Sequence, residues 1–187
     1  VDNGTESPVS FHEGYREAVG RVRMVRLRPE RMRQVADIPV GAKLDASGRN
    51  LAGVLARLTL LRDGRMEAIE DSLRSIVPGL KRVFTDTPGP EASPNVSVFM
   101  EFTNVGVVPA EHLSDGTLLA LGVLTAAHGE GVGLLLVDDA EQGLHMDAQY
   151  GLVAAIRTIQ ENTDLQVVLT THSPFIMQGA EVHEIVL

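Results

Sequence analysis

The second half of the chain alternates short apolar segments with longer helical ones, and this pattern constrains the fold more than any other feature. Apolar spacing predicts helices over 115–128 and 147–162, and strands over 96–102, 134–138, 166–171 and 182–187. Strands that are apolar throughout need cover on both faces. The sequence therefore predicts an α/β fold, with a mainly parallel sheet flanked by helices.

The first half predicts one strand and two helices. The strand over 21–28 would turn Val22 and Met24 inward, and helices follow over 49–62 and from Met66 to Val77. Three prolines make 86–95 a loop. We expect residues 1–187 to form part of a single domain, with a strand, a helical arm and a loop over 21–95 and the core over 96–187.

Composition excludes several classes of protein. The chain has no cysteine, which rules out disulfides, thiolate metal sites and cysteine nucleophiles. It has no apolar run of membrane-spanning length and no signal-like start, so we expect a soluble cytoplasmic protein without membrane contact. A formal charge of −9 argues against a surface that is basic everywhere, although it allows a local basic patch.

Two strands end in residues that suit phosphate chemistry. Asp138 and Asp139 follow one strand and His172 follows another, and ligands of open parallel sheets bind at the carboxyl ends of strands. The acids could meet a metal-bound phosphate, and the histidine could orient one. The alternatives are that the acids are solvated loop residues and that the histidine is structural.

A third segment is a helix start that suits an anion. Ser114 is placed to cap the helix, and Gly116 lets the backbone approach a ligand closely. The alternative is a well-capped core helix.

Taken together, these segments resemble a known family. LSDGT (113–117), LLLVDDAEQGLH (134–145) and LTTHSP (169–174) resemble, in this order, the signature motif, the Walker B motif with its D-loop, and the H-loop of ABC-class ATPases. The variant is most similar to the RecF/SMC-like and overcoming-lysogenisation-defect ATPases. The earlier segment DASGRNLAGVLARL (45–58) also resembles a helix start of that group. The resemblance covers roughly residues 20–187 and implies part of a P-loop NTPase fold of ABC type.

The resemblance implies a role for each matching residue. Asp138 would hold Mg²⁺, Asp139 would be the catalytic base for water, and His172 would contact the γ-phosphate of ATP. The signature residues would bind the γ-phosphate of a nucleotide held by a second subunit, and the D-loop residues would lie at the interface of the two. These residues are Ser114, Asp115, Gly116 and Thr117 in the signature, and Gly143 and His145 in the D-loop.

The sequence departs from the family pattern at three places. Asp139 is one methylene shorter than the usual glutamate, which favours slow hydrolysis or ATP sensing without turnover. Ala140 replaces a proline, and Glu141 is either an auxiliary acid or a structural residue. The phosphate loop GxxxxGK[ST] is absent, because the only lysines are Lys43 and Lys81. We expect an N-terminal lobe, in cis or on another chain, to supply it, and this chain alone to be inactive.

An arginine-rich segment near the start of the chain has two interpretations. Seven arginines lie between Arg16 and Arg33, and they could track a phosphate backbone such as that of DNA. Alternatively, they form a solvated strand face and loop, with some of the guanidinium groups paired with the 25 acids of the chain.

Three functions are compatible with the sequence. The first is a Mg-ATP-dependent ATPase whose ATP-driven homodimer acts on DNA or gates an effector protein, in genome maintenance or phage defence. The second is a nucleotide-sensing regulatory module with little turnover, and the third is a structural interaction domain with degenerate motifs.

Overall fold

The computed structural model describes residues 19–87 and 95–186. The strands are β1 (Val22–Val25), β2 (Ala36–Asp37), β3 (Leu80–Asp86), β4 (Asn95–Phe102), β5 (Gly106–Pro109), β6 (Leu134–Val137) and β7 (Gln166–Leu169). The α-helices are α1 (Pro29–Met32), α2 (Leu51–Leu61), α3 (Arg65–Ile76), α4 (Asp115–Ala127), α5 (Met146–Asn162) and α6 (Pro174–Gly179). Most of the predicted proline-rich loop lies outside the described residues, which resume at Asn95.

The first sheet is parallel and has the order β1-β6-β7. Its register aligns Met24 with Leu136 and Leu136 with Val168. The strand from the first half of the chain thus pairs directly with the central strand β6, and all three carboxyl ends reach the same edge. This confirms the predicted parallel sheet flanked by helices.

The second sheet is antiparallel and is built around β4. Strand β3 pairs with one edge of β4, while β2 and β5 share the other edge at its two ends. Only β4 was predicted from the sequence. Strand β3 was missed because its buried positions, Leu80 and Val83, do not alternate, and the pairing shifts register between Leu80 and Arg82.

Helix α4 lies in the middle of the molecule and is buried on nearly all sides. It packs against α1, α2, α3, α5, β1 and β6. One continuous apolar core runs from Val25 in β1 to Leu165 before β7. The position of the α4 N-terminus is therefore fixed from several directions.

Two predictions about strands were wrong. Residues 182–184 form a 3₁₀ turn instead of a strand, held by hydrogen bonds that Glu181 and Glu184 exchange through side chains and backbone. In β1 the inward residues are Val25 and the following Leu27, whereas Met24 is 62% exposed. The alternation of the sequence gave the right element but the wrong face, because the described residues leave the Met24 face of this edge strand uncovered.

Among the described residues, no helix combines the length and the apolar character needed to cross a bilayer.

Candidate functional site

The carboxyl ends of the three parallel strands meet at Asp138. Asp138 follows β6, and its Oδ1 accepts a 2.6 Å hydrogen bond from the Thr170 hydroxyl, which follows β7. Arg26 follows β1 and places its Nε 3.4 Å from Asp138 Oδ2. The Asp138 side chain is only 28% exposed, so this carboxylate lies at a partly desolvated edge between a hydroxyl and a cation.

Asp139 turns the chain sharply after the strand. Its φ of 54° lies in the left-handed region, which aspartate tolerates better than most residues. Its amide donates to the Thr170 hydroxyl at 3.0 Å, and the amide of Ala140 donates to the Thr170 carbonyl at 3.1 Å. Thr170 therefore fixes both acids of the strand end relative to β7.

Glu141 fixes the loop that carries His172. Its Oε2 accepts from the Thr171 hydroxyl at 2.6 Å, and its Oε1 accepts from the His172 amide at 2.8 Å. Partial burial would raise the pKa of Glu141, but these two hydrogen bonds, a third from its own backbone and the charge on His172 together hold the pKa below its usual value. With both oxygens occupied, Glu141 positions the backbone of His172, whose side chain is exposed.

A buried amide joins the D-loop to the H-loop. Gln149, in α5, accepts a hydrogen bond from the Ser173 hydroxyl, and its Nε2 donates to the Leu144 carbonyl at 2.9 Å. Gln149 and Ser173 are both buried. Ser173 also caps α6 by accepting from the Phe175 amide at 3.2 Å. The chain segments on either side of the strand-end acids are thus connected through one side chain.

The signature segment forms a capped helix start. Ser114 Oγ accepts from the Thr117 amide at 3.1 Å and donates to the Thr117 hydroxyl at 2.9 Å. Arg33 lies beside it, 2.6 Å from Asp115 Oδ1, and it also donates to the Leu113 carbonyl at 2.9 Å. The charge of Asp115, which would repel an anion at this helix start, is therefore paired.

The signature helix and the D-loop touch backbone to backbone. A Cβ built on Gly116 would lie 2.4 Å from the carbonyl oxygen of Gly143, and Gly143 itself has a φ of 69°. Glycine is required at both positions, for close approach at one and for left-handed backbone at the other. His145 starts α5 at the surface, with its Nδ1 3.6 Å from Asp147 Oδ2.

The structure arranges the sequence-predicted residues in two groups. Asp138, Asp139 and His172 follow β6 and β7 at one sheet edge, while the signature residues 114–117 lie with Gly143 at the start of α4. The loop over 138–145 joins the groups. Sequence reasoning gave Thr170 and Gln149 no role, and it considered Arg26 and Arg33 only as part of a basic stripe. Arg26 could have been found, because a third parallel strand must also end at this edge.

The strand-end donor set suits magnesium. Mg²⁺ binds through one or two carboxylates and keeps several water ligands, with substrate phosphates completing its shell. The described residues contain no cluster of three or more histidine, cysteine or acidic residues of the kind that holds a metal by protein ligands alone. Asp138 supplies such a carboxylate, with Arg26 lying 3.4 Å from its Oδ2.

The fold is that of P-loop NTPases of the ABC and SMC-head class. A sequence model described as "AAA domain, putative AbiEii toxin, Type IV TA system" matches residues 11–178. The chain belongs to this AAA-domain family, and membership supports nucleotide binding and hydrolysis.

Solved SMC head domains share the fold. An SMC head bound to the C-terminal winged-helix domain of ScpA has a TM-score of 0.53 and 12% identity, over 70% of this chain and 43% of that one. A Pyrococcus furiosus SMC head with an extended coiled coil, bound to the C-terminal domain of ScpA, gives 0.50 and 13%, over 68% and 32%. A Pyrococcus yayanosii SMC head with a coiled coil and joint gives 0.50 and 15%, over 67% and 25%. The chain thus spans less than half the length of these three relatives.

Proposed function

We propose that this chain supplies the magnesium and signature parts of a composite ATP site that hydrolyses ATP when two copies associate. The observation that carries the proposal is the meeting of three parallel strand ends at Asp138, where Thr170 lies at 2.6 Å and Arg26 at 3.4 Å. Partly desolvated acids at such an edge suit a metal-bound phosphate.

Each residue of the strand-end group has a distinct task in this proposal. Asp138 would hold Mg²⁺, which neutralises charge on the β- and γ-phosphates. Asp139, next along the chain, would orient the attacking water, and His172 would contact the γ-phosphate from the loop that Glu141 holds. Phosphoryl transfer depends chiefly on such positioning and charge neutralisation, so these residues need no covalent step.

The signature group would serve the nucleotide of the second copy. The α4 N-terminus offers backbone amides and the Ser114 and Thr117 hydroxyls, and the pairing of Asp115 with Arg33 lowers its repulsion of an anion. Gly143 and His145 lie in the D-loop that abuts this helix start. Completion of the site by a second copy would link hydrolysis to association.

A further segment would supply the phosphate loop, which the 187 residues lack. An exposed apolar face of the parallel sheet supports this, with Met24 62% and Val168 53% exposed at aligned positions. Parallel sheets are normally covered on both faces. We propose that the lobe carrying the phosphate loop packs on this face.

The downstream partner is an effector protein or DNA. The matching family is described as a putative toxin of a toxin–antitoxin system, and two similar SMC heads were solved with a bound protein, ScpA. These names support coupling of ATP to an effector, in genome maintenance or phage defence.

The test is ATP hydrolysis by a protein in which this chain is joined to its phosphate-loop lobe. Asp138→Asn removes the magnesium carboxylate and keeps its size, so we expect hydrolysis to fall at least ~10²-fold. The control is Asp147→Asn, which removes an equal charge from the nearby exposed start of α5. Hydrolysis at the wild-type rate by Asp138→Asn would refute the assignment.

A second candidate, a nucleotide sensor with little turnover, is favoured by one specific observation. The Asp139 side chain is shorter than that of the usual glutamate, and its backbone has a left-handed conformation. Undetectable ATP binding by the same joined protein would instead favour a structural interaction domain.

A further inference from the structure

Four arginines line an open cleft of about 350 Å³ beside the strand-end group. Arg26, Arg28 and Arg31 form one wall, and Arg49 forms the other with Ala46 and Ser47. Within residues 19–87 and 95–186, the guanidinium groups of Arg28, Arg31 and Arg49 contact no carboxylate. These three guanidinium groups are therefore free to bind an anion, whereas Arg26 and Arg33 of the same segment are paired with Asp138 and Asp115.

Hydrogen bonds join the two sides of this open cleft. The amides of Arg26 and Arg28 donate to the carbonyls of Ala46 and Ser47, at 2.8 and 3.1 Å. Asp45 closes the opposite loop, because its Oδ1 accepts from the Ser47 and Arg49 amides at 2.9 and 3.0 Å. These contacts hold the two walls side by side, so like charges are kept close together in a protein whose overall charge is −9.

The lining identifies the chemistry of the ligand. Arginine binds phosphate oxygens through two parallel N–H groups, and closely spaced guanidiniums repel one another until an anion lies between them. Among residues 19–87 and 95–186, no aromatic ring lines the cleft, so this part of its lining offers no stacking surface for a base. The cleft suits linked phosphates, whether in a nucleic-acid backbone or in a free polyphosphate.

Arg26 connects this cleft to the strand-end group. It is 65% exposed and lines the cleft, and its Nε also lies 3.4 Å from Asp138 Oδ2. A phosphate in the cleft and the Asp138 carboxylate would compete for the same guanidinium. We infer that the cleft is a second phosphate site, and that its occupancy draws Arg26 away from Asp138 and frees that carboxylate for magnesium. The second half of this inference rests on the proposed function.

Phosphate binding can be tested on the chain without nucleotide or metal. The probes are a short fluorescent DNA duplex and sodium tripolyphosphate, and the variant is Arg28→Gln with Arg31→Gln. We expect the variant to bind more weakly and the slope of log affinity against log salt to shrink by about 2. The control, Lys81→Gln with Arg82→Gln, removes the same charge from the second sheet, where both residues pair with Glu101.

The two probes identify the source of the phosphates. Arginine-dependent binding of the duplex indicates a nucleic-acid backbone, whereas arginine-dependent binding of tripolyphosphate alone indicates a free polyphosphate. Equal affinities for the variant and its control with both probes would overturn the site.

The link to Asp138 is tested by a double-mutant cycle on probe affinity. Asp138→Asn should tighten binding several-fold more than the control Asp147→Asn, because Arg26 no longer has a competing partner. In an Arg26→Gln background this gain should disappear. A gain that persists there would show that Asp138 acts only through its general charge and would overturn the competition. Because no hydrolysis is measured, failure of the proposed ATPase would leave this result unaffected.

Discussion

Asp139 combines a short side chain with an unusual backbone conformation. Its left-handed φ of 54° and the hydrogen bond from its amide to the Thr170 hydroxyl fix the position of its backbone. The length of its side chain therefore decides how far the carboxylate reaches. Strain of this kind tends to be kept where it serves a site. The length of this side chain is therefore the feature by which we distinguish the proposed hydrolysis from the proposed nucleotide sensing.

Lengthening this side chain is the corresponding prediction. If turnover is limited by reach, Asp139→Glu should raise the hydrolysis rate of the lobe-joined protein by about 10- to 100-fold, since misplacement of ~1 Å can cost ~10²-fold. Asp139→Asn is the control, because it keeps the length and removes the base. An unchanged rate in Asp139→Glu would count against the sensor.

Glu141 gives a prediction about pH. Its pKa is lowered in the folded chain, so its ionised form stabilises the fold at pH values above the usual pKa of 4.5. This stabilisation is lost as the pH falls through the pKa of the folded chain. Glu141→Gln should therefore be less stable than wild type at neutral pH, with a difference that narrows below pH 4.5. Urea unfolding across pH 3–7 measures it. A difference that stays constant with pH would contradict the role of the charge.

At the scale of elements, the Gly116–Gly143 contact couples a helix to a loop. A methyl group on Gly116 has no room, because the Gly143 carbonyl would lie 2.4 Å away and both partners are backbone. We expect Gly116→Ala to destabilise the chain by ~1–3 kcal/mol. Gly20→Ala is the matched control, since nothing lies within 4 Å of that position. Equal urea midpoints for Gly116→Ala and Gly20→Ala would show that the loop carrying Gly143 can move to accommodate the methyl group.

The elements also show what the sequence could and could not predict. Strands β6 and β7 and helices α4 and α5 were predicted closely, because continuous apolar runs and helical spacing are local signals. The antiparallel sheet was largely missed, since its short strands β2 and β5 depend on pairing with β4. The hydrogen bond between Thr170 and Asp138 could be expected from two adjacent strand ends. The contact of Arg33 with Asp115 could not, because the two residues lie 82 positions apart and no local sequence pattern connects them.

At the scale of the whole molecule, one face of the parallel sheet has no cover in the described part of the chain. Val168→Lys places a charge on the β7 side of that face, at a position already 53% exposed. We expect thermal unfolding of the chain to change little, by less than ~0.5 kcal/mol. Association with the phosphate-loop lobe, and with it ATP binding, should be lost.

The matched control for this surface is Val107→Lys, at a similarly exposed valine on the second sheet. Tight association of the Val168→Lys chain with the lobe, measured by calorimetry, would place the interface elsewhere.

The buried amide of Gln149 has a mechanical consequence. Its oxygen accepts from the Ser173 hydroxyl and its nitrogen donates to the Leu144 carbonyl, so the loop that we propose faces a second subunit is joined through one side chain to the segment carrying His172. Pressure that a neighbouring protein exerts on the outer segment would reach the histidine in one step. Binding of a partner and positioning of His172 would then occur together.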